Sequence, residues 1–323
     1  MVGATGAVGL EALALLIELG VRPERIIACA SKRSEGDTIN AGGQEFVVQS
    51  ADAAARADAA VLATPAEVSR ALVPELAAQG VRVSDNSWAF RQQAPLIIPE
   101  INGREVTGLL DLVVSTPNCT TTIALVGLHG LLHAFDWDTL EIVSYQAVSG
   151  AGIGAMRALL DETERVVAGE QPAPQWLDHA VAFNVFPHES AMDDASGQCE
   201  EELKFAREAS RILGTDRGAF AATCMRVPVL RAHTVVARLS ISEVVRASDV
   251  AEIVGATAGV RLVSGQATSI DAAGRCDVLA DRIRVQPDRV RGGSVIWMMI
   301  AGDQLLKGAA WNAIQNAGLL LRA

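Results

Sequence analysis

The stretch AAVLATPAEVSRALVPELAAQGVRVS, residues 59–84, holds two short apolar runs with an amphipathic segment between them. This pattern predicts a strand over Ala59–Thr64, a helix over Pro65–Gln79 and a second strand over Val81–Ser84. Pro65 suits the first turn of the helix, where a missing N–H has no consequence. Short strands that alternate with helices are typical of a doubly wound parallel sheet in an α/β protein.

The same alternation continues toward the N-terminus. Further strands are predicted over Phe46–Gln49 and Ile26–Ala30, and Gly3-Ala-Thr-Gly-Ala-Val-Gly9 leads into a helix pattern over Leu10–Leu19. A glycine turn before such a helix lets the backbone approach a pyrophosphate, which the helix N-terminus then holds. Glycines that serve only helix packing give the same pattern. The turn therefore predicts a Rossmann-like, dinucleotide-binding arrangement without proving it.

The start of the chain departs from this arrangement. A dinucleotide-binding fold has a strand before the glycine turn, and only Met1 and Val2 stand there. Loss of that strand would remove ladder hydrogen bonds and apolar burial worth several kcal/mol. We therefore expect the first strand to be truncated by a misplaced start, and a short apolar run encoded upstream of Met1 would restore it.

The residues after the second predicted strand bear on the choice of cofactor. Ser31-Lys-Arg-Ser-Glu-Gly36 stands about where this fold places the side chain that contacts the ribose. NAD-binding proteins usually have a carboxylate there, whereas cations and small hydroxyls suit a 2′-phosphate. The sequence thus favours NADP over NAD, the alternative being a solvated loop.

Composition limits the class of protein. The 323 residues indicate about two domains, and a 50% hydrophobic content with a net charge of −11 speaks against disorder and against a nucleic-acid groove. We recognise no signal-peptide pattern and no apolar run near the roughly 18 residues of a membrane span, and so expect neither a leader nor a membrane helix. The five cysteines lack any CxxC spacing, which argues against a disulfide framework or a metal site. We expect a cytoplasmic protein.

One cysteine stands at a candidate helix start. Ser115-Thr-Pro-Asn-Cys-Thr-Thr-Thr122 follows an apolar run over 109–114 and precedes a helix pattern over Ile123–His133. Pro117 ends the strand, and the threonine cluster can cap a helix that begins near Cys119. The positive end of a helix favours a thiolate. The alternative is a small buried core cysteine.

The second half of the chain changes character. Longer strands with helices between them predict an α+β domain with a mixed sheet, and residues 168–198 show little periodicity. The predicted strands are Leu140–Val148, Ala219–Val229, Thr234–Val245, Val295–Ile300 and short ones near Val260 and Ile283. The predicted helices are Ala155–Val167, Glu200–Leu213, one from Asp249 capped by Ser248, and a last one from Gly302 that packs back on the first domain.

Several polar residues are candidates for a functional site, but none of them is decisive by itself. Arg91 follows a strand in DNSWAFR and could clamp a phosphate, although a surface arginine is the common case. Glu201 and Lys204 share a helix face, as ordinary solvated ion pairs also do. Gln146 lies near a strand end, and Arg226 and His233 flank a short connection, where a lone histidine is usually structural.

Taken together, the motifs resemble the aspartate-semialdehyde dehydrogenase family. The resemblance runs from Gly3 to the last helix and is most specific in PNCTTT, YQAVSGAG and the Arg-x₆-His pair. The motifs that carry it are GATGAVG (3–9), SKRSEG (31–36), DNSWAFR (85–91), PNCTTT (117–122), YQAVSGAG (145–152), EELK (201–204), RVPVLRAH (226–233) and GDQLLKGAAWNAIQ (302–315).

The resemblance implies a role for each matching residue. Cys119 would be the acyl-forming nucleophile and His233 the general acid/base, for which a pKa near the operating pH is useful. Gln146 would orient the thiol side of the substrate, Arg226 would bind its α-carboxylate and Glu201 its ammonium. The implied phosphate ligands are Lys204, Arg91 and Asn118. The implied cofactor contacts are Thr5, Gly6, Ala7, Val8, Arg33, Ser34, Ser149, Gly150 and Gln304.

The implied reaction is the reversible reduction of L-4-aspartyl phosphate by NADPH to L-aspartate 4-semialdehyde and phosphate, in lysine, threonine, methionine and diaminopimelate biosynthesis. The resemblance also implies a homodimer through the second domain's sheet, with residues 1–118 and 302–323 binding the dinucleotide and 119–301 forming the catalytic and dimerisation domain. One departure is Ala232 before His233, where the family often has glycine. The alternatives are N-acetyl-γ-glutamyl-phosphate reductase, whose nucleophile motif differs, and a catalytically silent binding protein.

Overall fold

The computed structural model describes residues 1–106, 112–215 and 219–323. The α-helices are α1 Ala7–Glu18, α2 Ala66–Ala78, α3 Pro99–Asn102, α4 Cys119–Ala134, α5 Ile153–Val167, α6 Glu200–Leu213, α7 Ala247–Ala256, α8 Ser269–Ala272 and α9 Trp311–Leu320. The strands are β1 Cys29–Ala30, β2 Thr38–Ala41, β3 Gln44–Val47, β4 Gln49–Ser50, β5 Ala59–Leu62, β6 Arg82–Asp85, β7 Val113–Ser115, β8 Trp137–Gln146, β9 Phe186–Pro187, β10 Met192–Asp193, β11 Gln198–Cys199, β12 Ala219–Arg226, β13 His233–Ile241, β14 Val260–Leu262, β15 Val278–Pro287 and β16 Ser294–Gly302.

The chain divides into two compact units. Unit 1 consists of Met1–Pro117 and Gly308–Ala323, and unit 2 consists of Asn118–Lys307. Helix α9 therefore belongs to unit 1, as the sequence predicts for the last helix. The amide groups of Asn312 and Asn316 fix it there, since both donate to the carbonyl oxygen of Ile97, at 2.9 and 3.2 Å.

Unit 1 is built on a parallel sheet. Strands β5, β6 and β7 pair in parallel, as do β1 and β4, and Val2 forms parallel bridges to both Cys29 and Leu62. Val2 therefore holds the place of a central strand between the two halves, which gives the strand order of a doubly wound sheet. The predicted α/β, Rossmann-like class is confirmed.

The strand predicted over Ile26–Ala30 is longer than the one observed. Of the predicted Ile26–Ala30, only Cys29–Ala30 forms a strand, which pairs with the equally short β4 at Gln49 and Ser50. In the apolar run over 109–114 the strand is described from Val113, and residues 107–111 lie outside the described residues.

Unit 2 has, among its described residues, a seven-stranded mixed sheet in the order β14-β15-β16-β13-β8-β12-β9. β8 and β12 are parallel, whereas β13 is antiparallel to both β8 and β16. Helices α4, α6 and α7 pack on one face of this sheet, where alternate residues such as Val235, Ala237 and Leu239 are buried. The predicted mixed sheet is confirmed.

Two predicted helix starts are wrong. The last helix begins at Trp311 rather than at Gly302, because β16 continues through Gly302 in its ladder with β13 and a π-helical turn over Leu306–Ala310 follows. Helix α7 begins at Ala247, so Ser248 is its second residue and not its cap. The carboxylate of Asp249 instead accepts from the backbone N–H of Arg246, at 3.4 Å.

Within the described ranges, no helix is long and apolar enough to cross a membrane. In the same residues, no cluster of three or more histidine, cysteine or acidic side chains could hold a metal ion. All five cysteines are free thiols.

Candidate active site

Cys119 is the first residue of α4, as the sequence predicts. The helix is capped by Asn118, whose side-chain oxygen accepts from the backbone N–H groups of Thr120 and Thr121, at 2.9 and 3.3 Å. The prediction that the threonine cluster supplies the cap is therefore wrong, since an asparagine directly before the helix has the better geometry. The sulfur is held at the positive end of a 16-residue helix.

His233 is the partner of this cysteine. Its Nε2 lies 3.6 Å from the Cys119 sulfur, and its Nδ1 accepts from the backbone N–H of Ala147 at 3.0 Å. A neutral imidazole whose Nδ1 is an acceptor carries its hydrogen on Nε2. The hydrogen-bond network thus places a hydrogen on Nε2, where it faces the sulfur. A thiolate accepts this hydrogen bond well, whereas a neutral thiol is only a weak acceptor.

The environment of His233 opposes protonation. Complete burial, with a smaller contribution from the positive charge of Arg226, lowers the pKa of His233 to about 3, although Glu201 acts in the opposite direction. This pKa lies well below the operating pH that the resemblance implies for a general acid/base. Protonation of Nδ1 would also bring two donors face to face, because the N–H of Ala147 already points at it.

Ala232 holds the turn before this histidine in an unusual backbone conformation. Its φ is +70°, a left-handed value that glycine adopts freely and alanine does not. The side-chain oxygen of Gln304 accepts from the Ala232 N–H at 2.8 Å, and Asp303 accepts from Arg231 at 2.5 Å. These contacts hold the strained turn, and its left-handed φ fits the glycine that the resemblance implies at this position.

Ala232→Gly is expected to raise the free energy of unfolding by less than about 1 kcal/mol. Relief of a left-handed alanine is worth roughly 1–2 kcal/mol, and the greater freedom of glycine in the unfolded chain offsets about half of it. Ala237→Gly is the control, since this buried residue lies on β13 without a positive φ and should be destabilised. Urea unfolding of both variants measures the difference, and equal losses would contradict strain at Ala232.

Arg226 is at the end of β12 and is only 2% exposed. Its Nε and Nη2 donate to the two carboxylate oxygens of Glu189, at 3.2 and 2.6 Å. Nη2 also lies 3.0 Å from Nε2 of His188, and Nη1 donates to the carbonyl oxygen of Ala147 at 2.8 Å. The main chain of Ala147 thus contacts Arg226 through its carbonyl oxygen and His233 through its N–H. This places the predicted carboxylate clamp beside the predicted catalytic pair.

Glu201 and Lys204 form no ordinary surface pair. Glu201 is buried, and its oxygens accept from Asn118 at 2.9 Å, from Gln146 at 3.4 Å and from Lys204 at 3.3 Å. Burial raises the pKa of this carboxyl group, but His188, Lys204 and the Asn118 hydrogen bond outweigh it and hold the pKa at about 2. A buried, ionised carboxylate next to the nucleophile's helix can bind a cation such as an ammonium group.

Three contributors escape the sequence analysis. Glu208, buried on α6, accepts from the backbone N–H of Asn118 at 2.7 Å and so fixes the residue before Cys119. Its spacing of seven from Glu201 puts both on one helix face, which is a signal the sequence contains. His188 and Glu189 lie within the aperiodic segment 168–198, and the pairing of β9 with β12 brings them to Arg226.

The predicted nicotinamide-side residues of unit 2 lie close to the Cys–His pair. A Cβ on Gly150 would stand 3.6 Å from Nε2 of His233 and 3.7 Å from Nη1 of Arg226, so this glycine leaves space over both groups. Gln304 donates to the hydroxyl of Ser149 and accepts from Ala232. Both ends of its amide are thus engaged inside unit 2, and a direct cofactor contact by Gln304 stays a prediction.

The glycine turn of unit 1 fits a dinucleotide pyrophosphate. Gly3 has a φ of +85° and Gly9 packs so tightly that a Cβ would lie 2.1 Å from the Gly3 oxygen. Gly6 is exposed at the N-terminus of α1, where no side chain caps the helix. The residues at this end are Thr5, Gly6, Ala7 and Val8. An uncapped helix start with close backbone approach is the donor set that an anion requires.

Two further predicted contacts also belong to unit 1. Arg33 and Ser34 form a short 3₁₀ turn after β1, with Arg33 exposed, which suits a 2′-phosphate. Arg91 is partly buried and donates to the carbonyl oxygen of Asn86 at 3.1 Å. Its role toward phosphate stays a prediction.

A dinucleotide-type unit together with a helix-start cysteine, a neutral histidine donor and an arginine fork is the arrangement expected of a dehydrogenase with a cysteine nucleophile. Comparison with known proteins agrees. A family model described as "Semialdehyde dehydrogenase, NAD binding domain" matches residues 1–109, and one described as "Semialdehyde dehydrogenase, dimerisation domain" matches residues 128–307. The chain belongs to the aspartate-semialdehyde dehydrogenase family.

Individual relatives cover nearly the whole chain. The aspartate-semialdehyde dehydrogenase of Mycolicibacterium smegmatis is 37% identical over 99% of this chain and 97% of its own length. That of Synechocystis sp. is 34% identical over 99% and 96%. The crystal structure of aspartate semialdehyde dehydrogenase II from Vibrio cholerae superposes with a TM-score of 0.93 at 31% identity, covering 99% of this chain and 97% of that one, and the same enzyme has been solved complexed with ASA.

Proposed function

We propose that this chain catalyses the reversible NADPH-dependent reduction of L-4-aspartyl phosphate to L-aspartate 4-semialdehyde and phosphate. The observation that carries the proposal is the pairing of Cys119 with an Nε2–H of His233 at 3.6 Å, at the positive end of α4. Both features favour a thiolate, which is the form that attacks an acyl group.

The first half of the reaction is acyl transfer to sulfur. The Cys119 thiolate attacks the acyl carbon of the substrate, the bond from that carbon to the phosphate oxygen breaks, and phosphate leaves with the bonding electrons. The product is a thioester on Cys119. The departing phosphate takes up the one proton that the overall reaction consumes in this direction.

The second half is reduction of the thioester. When bound, NADPH supplies the hydride. The resulting hemithioacetal oxyanion needs a hydrogen-bond donor, and the Nε2–H of His233 is positioned next to the sulfur to provide it. Collapse of the oxyanion forms the aldehyde, breaks the C–S bond and returns the thiolate. This half requires donation by the imidazole and no net proton transfer, which agrees with a histidine that stays neutral.

The charged groups of unit 2 match an amino-acid substrate. The guanidinium of Arg226 suits an α-carboxylate, and the ionised, buried Glu201 suits an α-ammonium group. For the phosphate, Lys204, Arg91 and Asn118 are the proposed ligands. A substrate with a free ammonium group distinguishes this enzyme from a reductase of N-acetylated acyl phosphates, whose substrate has no charge to pair with Glu201.

The decisive experiment compares two acyl phosphates. NADPH oxidation is followed with L-4-aspartyl phosphate and, separately, with N-acetyl-γ-glutamyl phosphate. We expect turnover of the first and at least a ~10³-fold lower kcat/KM for the second, since a buried carboxylate would be left without a partner. Preference for the acetylated substrate would overturn the proposal, and inactivity with both would leave the binding-protein alternative.

Arg33→Ala is expected to raise the KM for NADPH at least ~10-fold and to leave the KM for NADH almost unchanged. The reason is loss of a charge-assisted contact to the 2′-phosphate, which NADH lacks. Arg25→Ala is the control, because this exposed arginine of unit 1 pairs with Asp58. Steady-state kinetics with both cofactors measures the effect, and an equal loss for NADPH and NADH would contradict the assignment.

We also propose a homodimer that forms through the open face of the unit 2 sheet, in a cytoplasmic enzyme. The face opposite the helices carries partly exposed apolar and paired side chains: Glu141, Val143, Tyr145, Val236, Arg238 and Trp297. Arg238 binds Glu141 at 2.9 Å and lies 5.9 Å from the Trp297 ring centre, so the face is preorganised. A single-chain mass in analytical ultracentrifugation would contradict the dimer.

A further inference from the structure

Glu189 occupies the place on Arg226 where a substrate carboxylate would bind. A guanidinium binds a carboxylate best through two parallel N–H···O bonds on one edge. The Nε–Nη2 edge of Arg226 already makes this pair with Glu189, at 3.2 and 2.6 Å. The chain therefore supplies its own carboxylate to the fork that the proposed reaction needs for an α-carboxylate.

The remaining donors of Arg226 cannot replace this edge. One N–H of Nη1 goes to the Ala147 carbonyl oxygen at 2.8 Å, and Nη2 also faces His188 at 3.0 Å. Glu189 and Ala147 accept three of the five guanidinium hydrogens and the His188 ring covers the position of a fourth, which leaves one for a ligand. A substrate carboxylate would gain a single hydrogen bond while Glu189 stays, and a like charge would stand next to it.

The main chain around Glu189 is fixed, but its side chain has a route outward. The N–H of His188 donates to the Cys224 oxygen at 2.9 Å, and the hydroxyl of Ser190 accepts from the Glu201 N–H at 3.0 Å. The Glu189 side chain itself is 17% exposed, whereas that of Arg226 is 2% exposed. Rotation of the Glu189 side chain alone would return its carboxylate to water and free the fork.

We propose that Glu189 is a specificity-determining residue that holds the Arg226 fork in the substrate-free enzyme and is exchanged for the substrate's α-carboxylate. The proposal rests on the proposed function for the identity of the substrate. Because Glu189 must leave before the substrate carboxylate binds, the free energy of binding includes only the difference between the two carboxylate–guanidinium pairs. Ligands without a carboxylate cannot displace Glu189 and are therefore at a disadvantage.

The test uses Glu189→Gln, which keeps the size and an oxygen acceptor but removes the charge. We expect the KM for L-aspartate 4-semialdehyde, measured in the phosphate-dependent oxidative direction, to fall about tenfold with kcat changed less than about twofold. The KM for propanal, an aldehyde without a carboxylate, should not change. Glu170→Gln is the matched control, since Glu170 pairs with Arg165 at 2.7 Å on the surface of the same unit.

Equilibrium binding provides a readout that does not depend on turnover. Succinate, an unreactive carboxylate, should raise the melting temperature of Glu189→Gln more than that of the unchanged protein at equal concentration. A KM that rises or stays constant, together with equal succinate shifts, would overturn the exchange and make Glu189 a fixed orienting group for Arg226. If the unchanged protein does not use the semialdehyde, the proposed function fails, and the succinate shifts still decide the role of Glu189.

Discussion

Cys119→Ser is expected to reduce phosphate-dependent turnover at least ~10³-fold. The hydroxyl of serine is almost wholly protonated at neutral pH, and an alkoxide is a poorer leaving group than a thiolate when the hemithioacetal collapses. Serine keeps the helix start that Asn118 caps and offers an oxygen to the Nε2–H of His233, so the loss is one of nucleophilicity. Single-turnover and steady-state rates with L-4-aspartyl phosphate and NADPH measure the loss.

Two observations keep this result specific to the nucleophile. Cys276→Ser changes another half-buried cysteine and should leave the rate within about twofold of the unchanged protein. Cys119→Ser should also keep its affinity for NADPH, since the predicted cofactor contacts lie on other residues. A near-normal rate in Cys119→Ser would remove this residue from the mechanism.

Much of the fold follows from local pattern. The alternation of apolar runs with amphipathic segments over residues 59–84 predicts β5, α2 and β6 to within a few residues, because each run is buried on both sides of a parallel sheet. Helix α6 is predicted at its observed bounds, Glu200–Leu213. The sequence misplaces two helix starts, at Ser248 and Gly302. Their positions depend on backbone hydrogen bonds made in the folded chain, which the local pattern does not determine.

The candidate site is only partly encoded in short motifs. Cys119 could be placed at a helix start, but the tautomer of His233 is set by the backbone N–H of Ala147, 86 positions away, which donates to Nδ1. Likewise Glu189 reaches Arg226 through the pairing of β9 with β12. Contacts between segments distant in sequence determine protonation and charge at the site. A short motif shows which residue types are present but not these contacts.

His233→Asn is expected to lower kcat about 10²–10³-fold, the range for loss of one well-placed donor to an oxyanion. The asparagine oxygen can take over the Ala147 N–H that Nδ1 accepts, but no atom replaces Nε2–H beside the sulfur. His233→Gln is the informative partner, because its amide nitrogen can reach the Nε2 position. Retention of more activity in the glutamine variant supports hydrogen-bond donation. Equal loss in both variants would show that proton transfer by the imidazole is required.

The same substitution predicts a change in stability with pH. In the folded chain the pKa of His233 is lowered to about 3 by burial, whereas in the unfolded chain it is about 6.5. Between these values the unfolded chain binds a proton that the folded chain does not, so the free energy of unfolding falls as the pH drops through this window. The contribution from Glu201, whose folded pKa is about 2, begins only below about 4.5.

Urea unfolding between pH 6.5 and 4.5 should therefore show a shallower decline of the free energy of unfolding for His233→Asn than for the unchanged protein. His133→Asn, which changes an exposed histidine at the end of α4, should retain the steep decline. Parallel curves for all three proteins would mean that the folded chain protonates His233 readily, and would restore it as a general acid.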